Sequence, residues 1–177
     1  VSVDIVIGYP AKSQHPMLRK ALIAAARTVA GVENVSVNLS SKITAHAVQR
    51  GVQLLPKVKN IVAVASGKGG VGKSTTALNL ALGLRDLGLR VGLLDADIYG
   101  PSVPRLTGIN EKPQLDDNRK MIPIQRFGLA IMSIGFLVEE NTAMIWRGPM
   151  VMSAITQMLR DVAWGTLDIL VVDMPPG

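Results

Sequence analysis

Eight residues, "GKGGVGKS" from Gly67 to Ser74, constrain this chain more than any other stretch. They lie between a β-branched run, "NIVAVAS", and an apolar stripe at helical spacing, so they read as the passage from a strand into a helix. The stretch matches G-x-x-x-x-G-K-[ST] in the context that the motif requires. Glycines let successive backbone N–H groups turn inward, because no Cβ obstructs the curve. The following helix adds unpaired N–H donors and about half a positive charge at its N-terminus. Such an array suits a polyphosphate. The spacing therefore predicts a nucleotide cradle built from Gly67, Lys68, Gly69, Gly70, Val71, Gly72, Lys73, Ser74 and Thr75. In it Lys73 reaches the β- and γ-phosphates, the Ser74 hydroxyl ligates Mg²⁺, and Thr75 approaches the α-phosphate.

A strand–loop–helix of this kind needs a sheet behind it, and the rest of the chain supplies one. From Ser74, the residues Ala77, Leu80, Ala81, Leu84 and Leu87 form an apolar stripe that Gly88 closes. "NIVAVAS", "RVGLLDAD" and "LDILVVD" are short apolar runs without alternation, the pattern of strands buried on both faces. "MIPIQRFGLAIMSIG" reads as two short strands around Phe127–Gly128. Pro104 to Thr107 reads as a short helical turn. "GPMVMSAITQMLRDVAW" reads as a helix with Pro149 in its first turn, where a missing N–H does no harm. Buried strands alternating with helices predict an α/β fold, a parallel sheet with helices on both faces, over residues 60–177.

The first 45 residues are patterned differently. "VSVDIVIGYP" alternates like a half-buried strand and ends at Pro10. Met17, Leu18, Ala21, Leu22, Ala25 and Val29 recur at helical spacing, with Ser13 as N-cap and Gly31 as the stop. "ENVSVNLS" then alternates again. Strand, helix and strand predict a small α+β unit over 1–45. Gly51 and Pro56 break residues 46–59 into a connector.

Acidic residues complete the cradle's chemistry. Asp173 closes "LDILVVD" and suits the role of holding the water shell of Mg²⁺. Gly177, after Pro175 and Pro176, would offer a backbone N–H to the γ-phosphate. Asp168 reads as a strand-entry residue. Asp95 and Asp97 sit at the carboxyl end of a strand, where ligands of α/β sheets bind. Asp97 is expected to orient the attacking water, with Asp95 supporting it near Mg²⁺; a pair of Asp can equally cap the next turn. Lys68 is surplus to an ordinary loop of this type. It cannot easily turn back on its own phosphates, so it is expected to face a nucleotide held by a second copy of the chain, as an arginine finger does in trans.

The other candidates read as structural. His15 and His46 lack a second ligand at metal spacing. Seven of the eight methionines follow Lys120 and read as core filling, as do Trp146 and Trp164. Arg147, in "WRGPM", serves a dimer interface or a structural salt bridge.

Composition removes whole classes. The chain has no cysteine, so it holds no disulfide, thiolate metal site or thiol nucleophile. No apolar run reaches the roughly 20 residues of a membrane span, and no signal-peptide pattern opens the sequence. The net charge of +6 is lopsided: up to Asn60 there are eight Lys and Arg against two acids, and the remainder balances. An acidic partner or nucleic acid would fit that excess. With aromatics at 3% and no basic run interleaved with them, a solvated surface is the better reading.

"GKGGVGKST" resembles the loop of the deviant Walker A ATPases, the group of the nitrogenase iron protein and the Min and Par ATPases. "VKNIVAVASGKGGVGKSTTALNLA", "GLLDADIYGPSVPRLTG", "WRGPMV" and "DMPPG" together resemble the Mrp/ApbC iron–sulfur cluster carriers. The first segment, with "AGVENVSV" after its helix, is similar to the small iron–sulfur-assembly domain found at the start of many such carriers. The resemblance implies a cytoplasmic homodimer that binds ATP with Mg²⁺, hydrolyses it slowly, and passes a [4Fe–4S] cluster to apoproteins alongside cluster-assembly factors. It matches Lys68 to the lysine facing the partner's nucleotide, and Lys73, Ser74, Asp97 and Asp173 to the nucleotide and metal positions. One departure stands out. The family holds its cluster through a C-x-x-C pair in the C-terminal part of the ATPase domain, and this sequence carries no cysteine. The expectation is a fragment of a longer protein, incomplete at both ends, with its cluster ligands elsewhere. A partition or positioning ATPase, whose nucleotide state governs binding to DNA or membrane, is the rival reading. A scaffold that docks assembly factors through the small domain is a third.

Overall fold

The computed structural model describes residues 1–46, 55, 57–137 and 148–177, with side chains of the last helix from residue 152 onward. Arg50, Gly51, Pro56, Met144, Trp146 and Arg147 lie outside the described residues. The chain divides into two compact units, Val1–Ala45 and His46–Gly177.

In the first unit, β1 (Ser2–Ile7) and β2 (Ser36–Ser41) pair in parallel, with Ser2 opposite Ser36 and Ile7 opposite Ser41. A crossover joins them: a 3₁₀ turn over Lys12–Gln14 and then α1 (His15–Ala26). Ser13 falls inside the 3₁₀ turn rather than at the N-cap, and Pro16 occupies the first helical turn, where its lost N–H is harmless. The helix stops at Ala26, before Val29 and Gly31, as the Thr28 hydroxyl donates to Ala25 O at 2.7 Å. Ile7, Ala11 and Val37 are the buried apolar residues of this unit, and α1 itself buries none.

The second unit is a five-stranded sheet of order β3–β7–β4–β6–β5, made of β3 (Val58–Val64), β4 (Val91–Asp95), β5 (Ile124–Arg126), β6 (Leu129–Ser133) and β7 (Leu167–Asp173). Four strands are parallel, and β5 is antiparallel to β6. The sheet is therefore mixed rather than wholly parallel. The reason is local: Phe127 and Gly128 both have positive φ, 52° and 71°, which closes a two-residue hairpin between Arg126 and Leu129. The Arg85 guanidinium donates to Phe127 O and ties that hairpin to the end of the second helix.

Every residue of β4 and β6 is buried, as their unbroken apolar runs require. β3 departs from that pattern. It lies at the sheet edge among the described residues, with Ile61 50% and Val62 36% exposed. β7 separates it from β4, and those two strands approach closely at Gly92, where a Cβ would lie 2.7 Å from Leu167 Cδ1 and 2.8 Å from Leu170 Cδ1. The second helix, α2 (Lys73–Asp86), packs on β4 and β7 through Ala77, Leu78 and Ala81, while Leu80 faces outward. Two further helices, α3 (Val103–Thr107) and α4 (Gly148–Arg160), complete the unit. Trp164, Met132 and Met158 are buried as expected, whereas Met17 and Met152 are exposed. None of the described helices is long and apolar enough to cross a membrane.

At the amino ends of the strands Asp168, the second residue of β7, does more than open a strand. It accepts from Lys59 Nζ at 2.7 Å, from Arg90 N at 3.0 Å, and from Arg90 Nε and Nη2 at 3.2 Å. One carboxylate thus ties the starts of β3, β4 and β7. Though burial opposes its charge, the hydrogen bonds from Arg90 and Lys59 hold its pKa well below the usual carboxylate range.

Candidate nucleotide site

Parallel strands deliver their carboxyl ends to one edge of a sheet, and here they end in step. Asp173 pairs with Val64 on one side and Asp95 on the other, and Asp95 pairs with Ser133. The last rung of the sheet therefore reads Val64, Asp173, Asp95, Ser133. The glycine loop springs from this rung and returns to it as α2.

Two glycines make the loop possible. Gly70 and Gly72 have φ of 75° and 86°, a region that side chains disfavour. Gly72 is also the N-cap of α2, and no side chain caps that end. The first amides of α2 are consequently unsatisfied and available to a ligand. They border an open cleft of about 340 Å³. Ser66, Lys68, Gly69, Gly70, Gly72, Lys73, Ser74 and Thr75 line it from the loop and the start of α2, together with Asp97, Gly100, Ser102, Leu106 and Pro176. Built Cβ atoms at Gly69, Gly70 and Gly72 meet nothing within 4 Å, so the concavity has room for a phosphate chain. Of the expected loop residues, Gly67 and Val71 do not line the cleft, and Val71 is 59% exposed.

Lys73 is the electrostatic centre. Its amine lies 2.5 Å from Asp173 Oδ1 and 3.4 Å from Asp97 Oδ2, with its side chain only 7% exposed. Asp173 is fully buried, and its other oxygen, Oδ2, has no hydrogen-bond partner among the described residues. An orphaned carboxylate oxygen beside a phosphate cradle fits a divalent cation. No three His, Cys, Asp or Glu converge to cage a metal among the described residues. A cation would thus rely on the Ser74 hydroxyl, the nucleotide's own phosphates and water, the usual arrangement for Mg²⁺.

Asp95 and Asp97 do not act as a matched pair. β4 ends at Asp95, so the two-residue repeat of a strand no longer sets their directions. Asp97 lines the cleft, and Asp95 does not. Instead Asp95 Oδ1 accepts from Asp97 N at 3.2 Å, and Oδ2 accepts from Val103 N and from Ser133 Oγ, both at 3.0 Å. Burial pushes the Asp95 carboxyl up to about 6, helped by the charge of Asp173 and opposed by those three donors. Gly177 N, expected at the γ-phosphate, donates to Ser66 O at 3.1 Å. Lys68 borders the cleft and forms no ion pair among the described residues. His15 sits 3.5 Å from Ser41 Oγ, and His46 Nδ1 lies 2.8 Å from Asn60 Oδ1; among the described residues neither belongs to a metal-binding group.

Ser102, Leu106 and Pro176 were not singled out from sequence, and neither was Ser133. Ser133 carried a usable signal, since it ends an apolar run at the same sheet edge as Asp95. Ser102 reaches the cleft as the N-cap of α3 and Leu106 from α3 itself, a five-residue helix too short for periodicity to say which way its side chains face.

Comparison with known proteins agrees with this geometry. Residues 57–177 match the family described as NUBPL iron-transfer P-loop NTPase, and residues 1–38 match iron-sulfur cluster assembly protein. An iron-sulfur cluster carrier protein of Escherichia coli K12 is 46% identical over 176 residues, which are 99% of this chain and 48% of that protein. One from Pseudomonas fragi is 53% identical over 149 residues, 83% of this chain and 52% of its own length. The iron-sulfur cluster transfer protein NUBPL of Mus musculus is 58% identical over 122 residues, 68% of this chain and 38% of its own. The chain thus spans about half, or less, of the curated relatives it matches. Among solved structures, a nucleotide-binding protein from Archaeoglobus fulgidus in complex with ADP superposes with a TM-score of 0.59 at 42% identity, covering 70% of this chain and 47% of that one. With two thirds of its length inside one family and a glycine cradle of the matching kind, the chain belongs to the NUBPL iron-transfer P-loop NTPases.

Proposed function

We propose that this chain is the nucleotide-handling part of an ATP-dependent iron–sulfur cluster carrier. It binds ATP with Mg²⁺, hydrolyses it slowly, and works as a cytoplasmic homodimer that passes a [4Fe–4S] cluster to apoproteins. The observation that carries the reading is the meeting of Lys73, Asp97 and Asp173 at the mouth of the glycine loop. The names and similarity of the relatives support the cargo. Residues 1–45 serve as the cluster-assembly domain, 46–59 as linker, and 60–177 as part of the ATPase domain.

In this reading the amides of Gly69 to Thr75 and the Lys73 ammonium bind the phosphates. Lys73 then exchanges its carboxylates for phosphate oxygens. Ser74 and Asp173 hold Mg²⁺, with Asp95 behind them; when bound, the ion neutralises charge on the β- and γ-phosphates. Asp97 orients the attacking water. Lys68 reaches the nucleotide of a second copy. The cluster is cargo, and its thiolate ligands are not among these residues, since the sequence has no cysteine.

Titration calorimetry of the intact gene product with ATP and Mg²⁺ tests the reading. Saturable heat in the wild type, lost in Lys73→Ala, supports it; no heat in the wild type overturns it.

A further inference from the structure

We infer that Ser133 is a positioning residue for Asp97, acting through Asp95. The inference rests on the reading of Asp97 as the residue that orients the attacking water, and it deepens that reading.

Ser133 ends β6 and is fully buried. Its hydroxyl donates to Asp95 Oδ2 at 3.0 Å and accepts from Gly135 N, also at 3.0 Å. Asp95 in turn holds both ends of the segment between β4 and α3, taking Asp97 N on one oxygen and Val103 N on the other. A single buried carboxylate therefore clasps that segment, and the serine hydroxyl fixes how the carboxylate is turned. The terminal torsion of an Asp is soft, so its rotation is set by the donors around it. Removing the Ser133 donor frees the carboxylate to swing about the Val103 bond, and Asp97 N moves with the other oxygen. Asp97 Oδ2 stands 3.4 Å from Lys73 Nζ at the cleft, where displacement of a reacting geometry by about 1 Å costs up to about 10²-fold in rate.

Packing points the same way. Residues Ile134–Phe136 form a 3₁₀ turn directly after Ser133. A Cβ at Gly135 would lie 2.9 Å from Pro104 Cγ and 3.1 Å from Pro101 Cβ, so this turn presses on the clasped segment at Pro101 and on the first turn of α3 at Pro104. Neither Ser133 nor Gly135 lines the cleft, so neither acts by direct contact there.

The test compares wild type, Ser133→Ala and Gly135→Ala in the intact protein, measuring ATP affinity by calorimetry, steady-state turnover, and amide hydrogen exchange. Both variants are expected to keep ATP affinity within about twofold while kcat falls about tenfold, equivalent to about 1.4 kcal/mol. Amides in 96–103 should exchange about tenfold faster, with those of β7 unchanged. Gly135→Ala leaves the hydroxyl in place and displaces the segment from the other side; should Ser133→Ala not fold, wild-type kcat in folded Gly135→Ala shows that the segment's position does not set turnover and overturns the inference. Wild-type kcat in the folded variants overturns the inference. So does a parallel fall of kcat, affinity and β7 protection, which marks a merely structural role. A wild-type protein that binds no ATP overturns the functional reading as well; binding with unaltered turnover in the variants overturns the inference alone.

Discussion

Replacing Asp168 by Asn removes a charge that three strands share, and the structure sets the size of the effect. The carboxylate takes four donors, from Lys59 Nζ and from three nitrogens of Arg90. Arg90's guanidinium is more than half exposed, returns to water on mutation, and is given no share. Lys59 is 33% exposed, so its ion pair counts as a partly screened one, at about 0.5–1 kcal/mol. The backbone N–H of Arg90 bonds an ionised acceptor at a residue only 7% exposed; making that acceptor neutral forfeits about 1 kcal/mol more. The expected loss is about 2 kcal/mol in urea unfolding at pH 7, with ATP affinity unchanged because Asp168 lies at the opposite end of the strands from the cleft. The pH dependence is diagnostic. The folded-state pKa is depressed, so the contribution is complete above the ordinary carboxylate range and is lost as pH falls below about 4. The gap between wild type and variant should therefore be full at pH 7 and close in acid. A variant within about 0.5 kcal/mol of wild type at pH 7, or a gap that persists undiminished at pH 3, would refute the reasoning.

Lys68→Ala should leave ATP binding largely intact and suppress hydrolysis; turnover equal to wild type removes the trans role. Asp173→Asn should lose most of the Mg²⁺ dependence of nucleotide affinity, read by calorimetry with and without the cation, because Oδ2 is the free oxygen beside the cradle. Asp95 has a raised folded-state pKa of about 6, so its share of stability is complete below pH 4 and fades as pH rises through 6. Asp95→Asn should accordingly flatten the stability profile between about pH 4 and 6, and an unchanged slope there counts against the assignment. Gly92→Ala should cost about 1–3 kcal/mol in unfolding free energy, since its Cβ would press on Leu167 and Leu170.

The cradle was legible in the sequence because its constraints are local. Only glycine tolerates the φ of Gly70 and Gly72, and the strand and helix around them carry clear periodicity. The uninterrupted apolar runs likewise announced β4 and β7 as interior strands. What escaped was set by partners distant in sequence. "NIVAVAS" has the look of an interior strand, yet its place at the edge among the described residues depends on strand order, which no run of residues encodes. Asp168 looked like an ordinary strand opening because Arg90 and Lys59 lie 78 and 109 residues away. Asp95 and Asp97 diverged because the strand ended one residue after Leu94, a boundary that periodicity locates poorly. The Phe127–Gly128 turn was foreseen as a break between two strands, and the reversed direction of β5 followed from its two positive φ angles.

The shared last rung of Val64, Asp173, Asp95 and Ser133 restricts how the gene can change. One codon gained or lost inside β4, β6 or β7 inverts the facing of that strand's final residue, turning a carboxylate or hydroxyl to the opposite side of the sheet. Two codons restore the facing but shift the end by about 6–7 Å, out of reach of Lys73. Tolerated length changes should thus fall in the connections, such as 108–123, and spare these three strands.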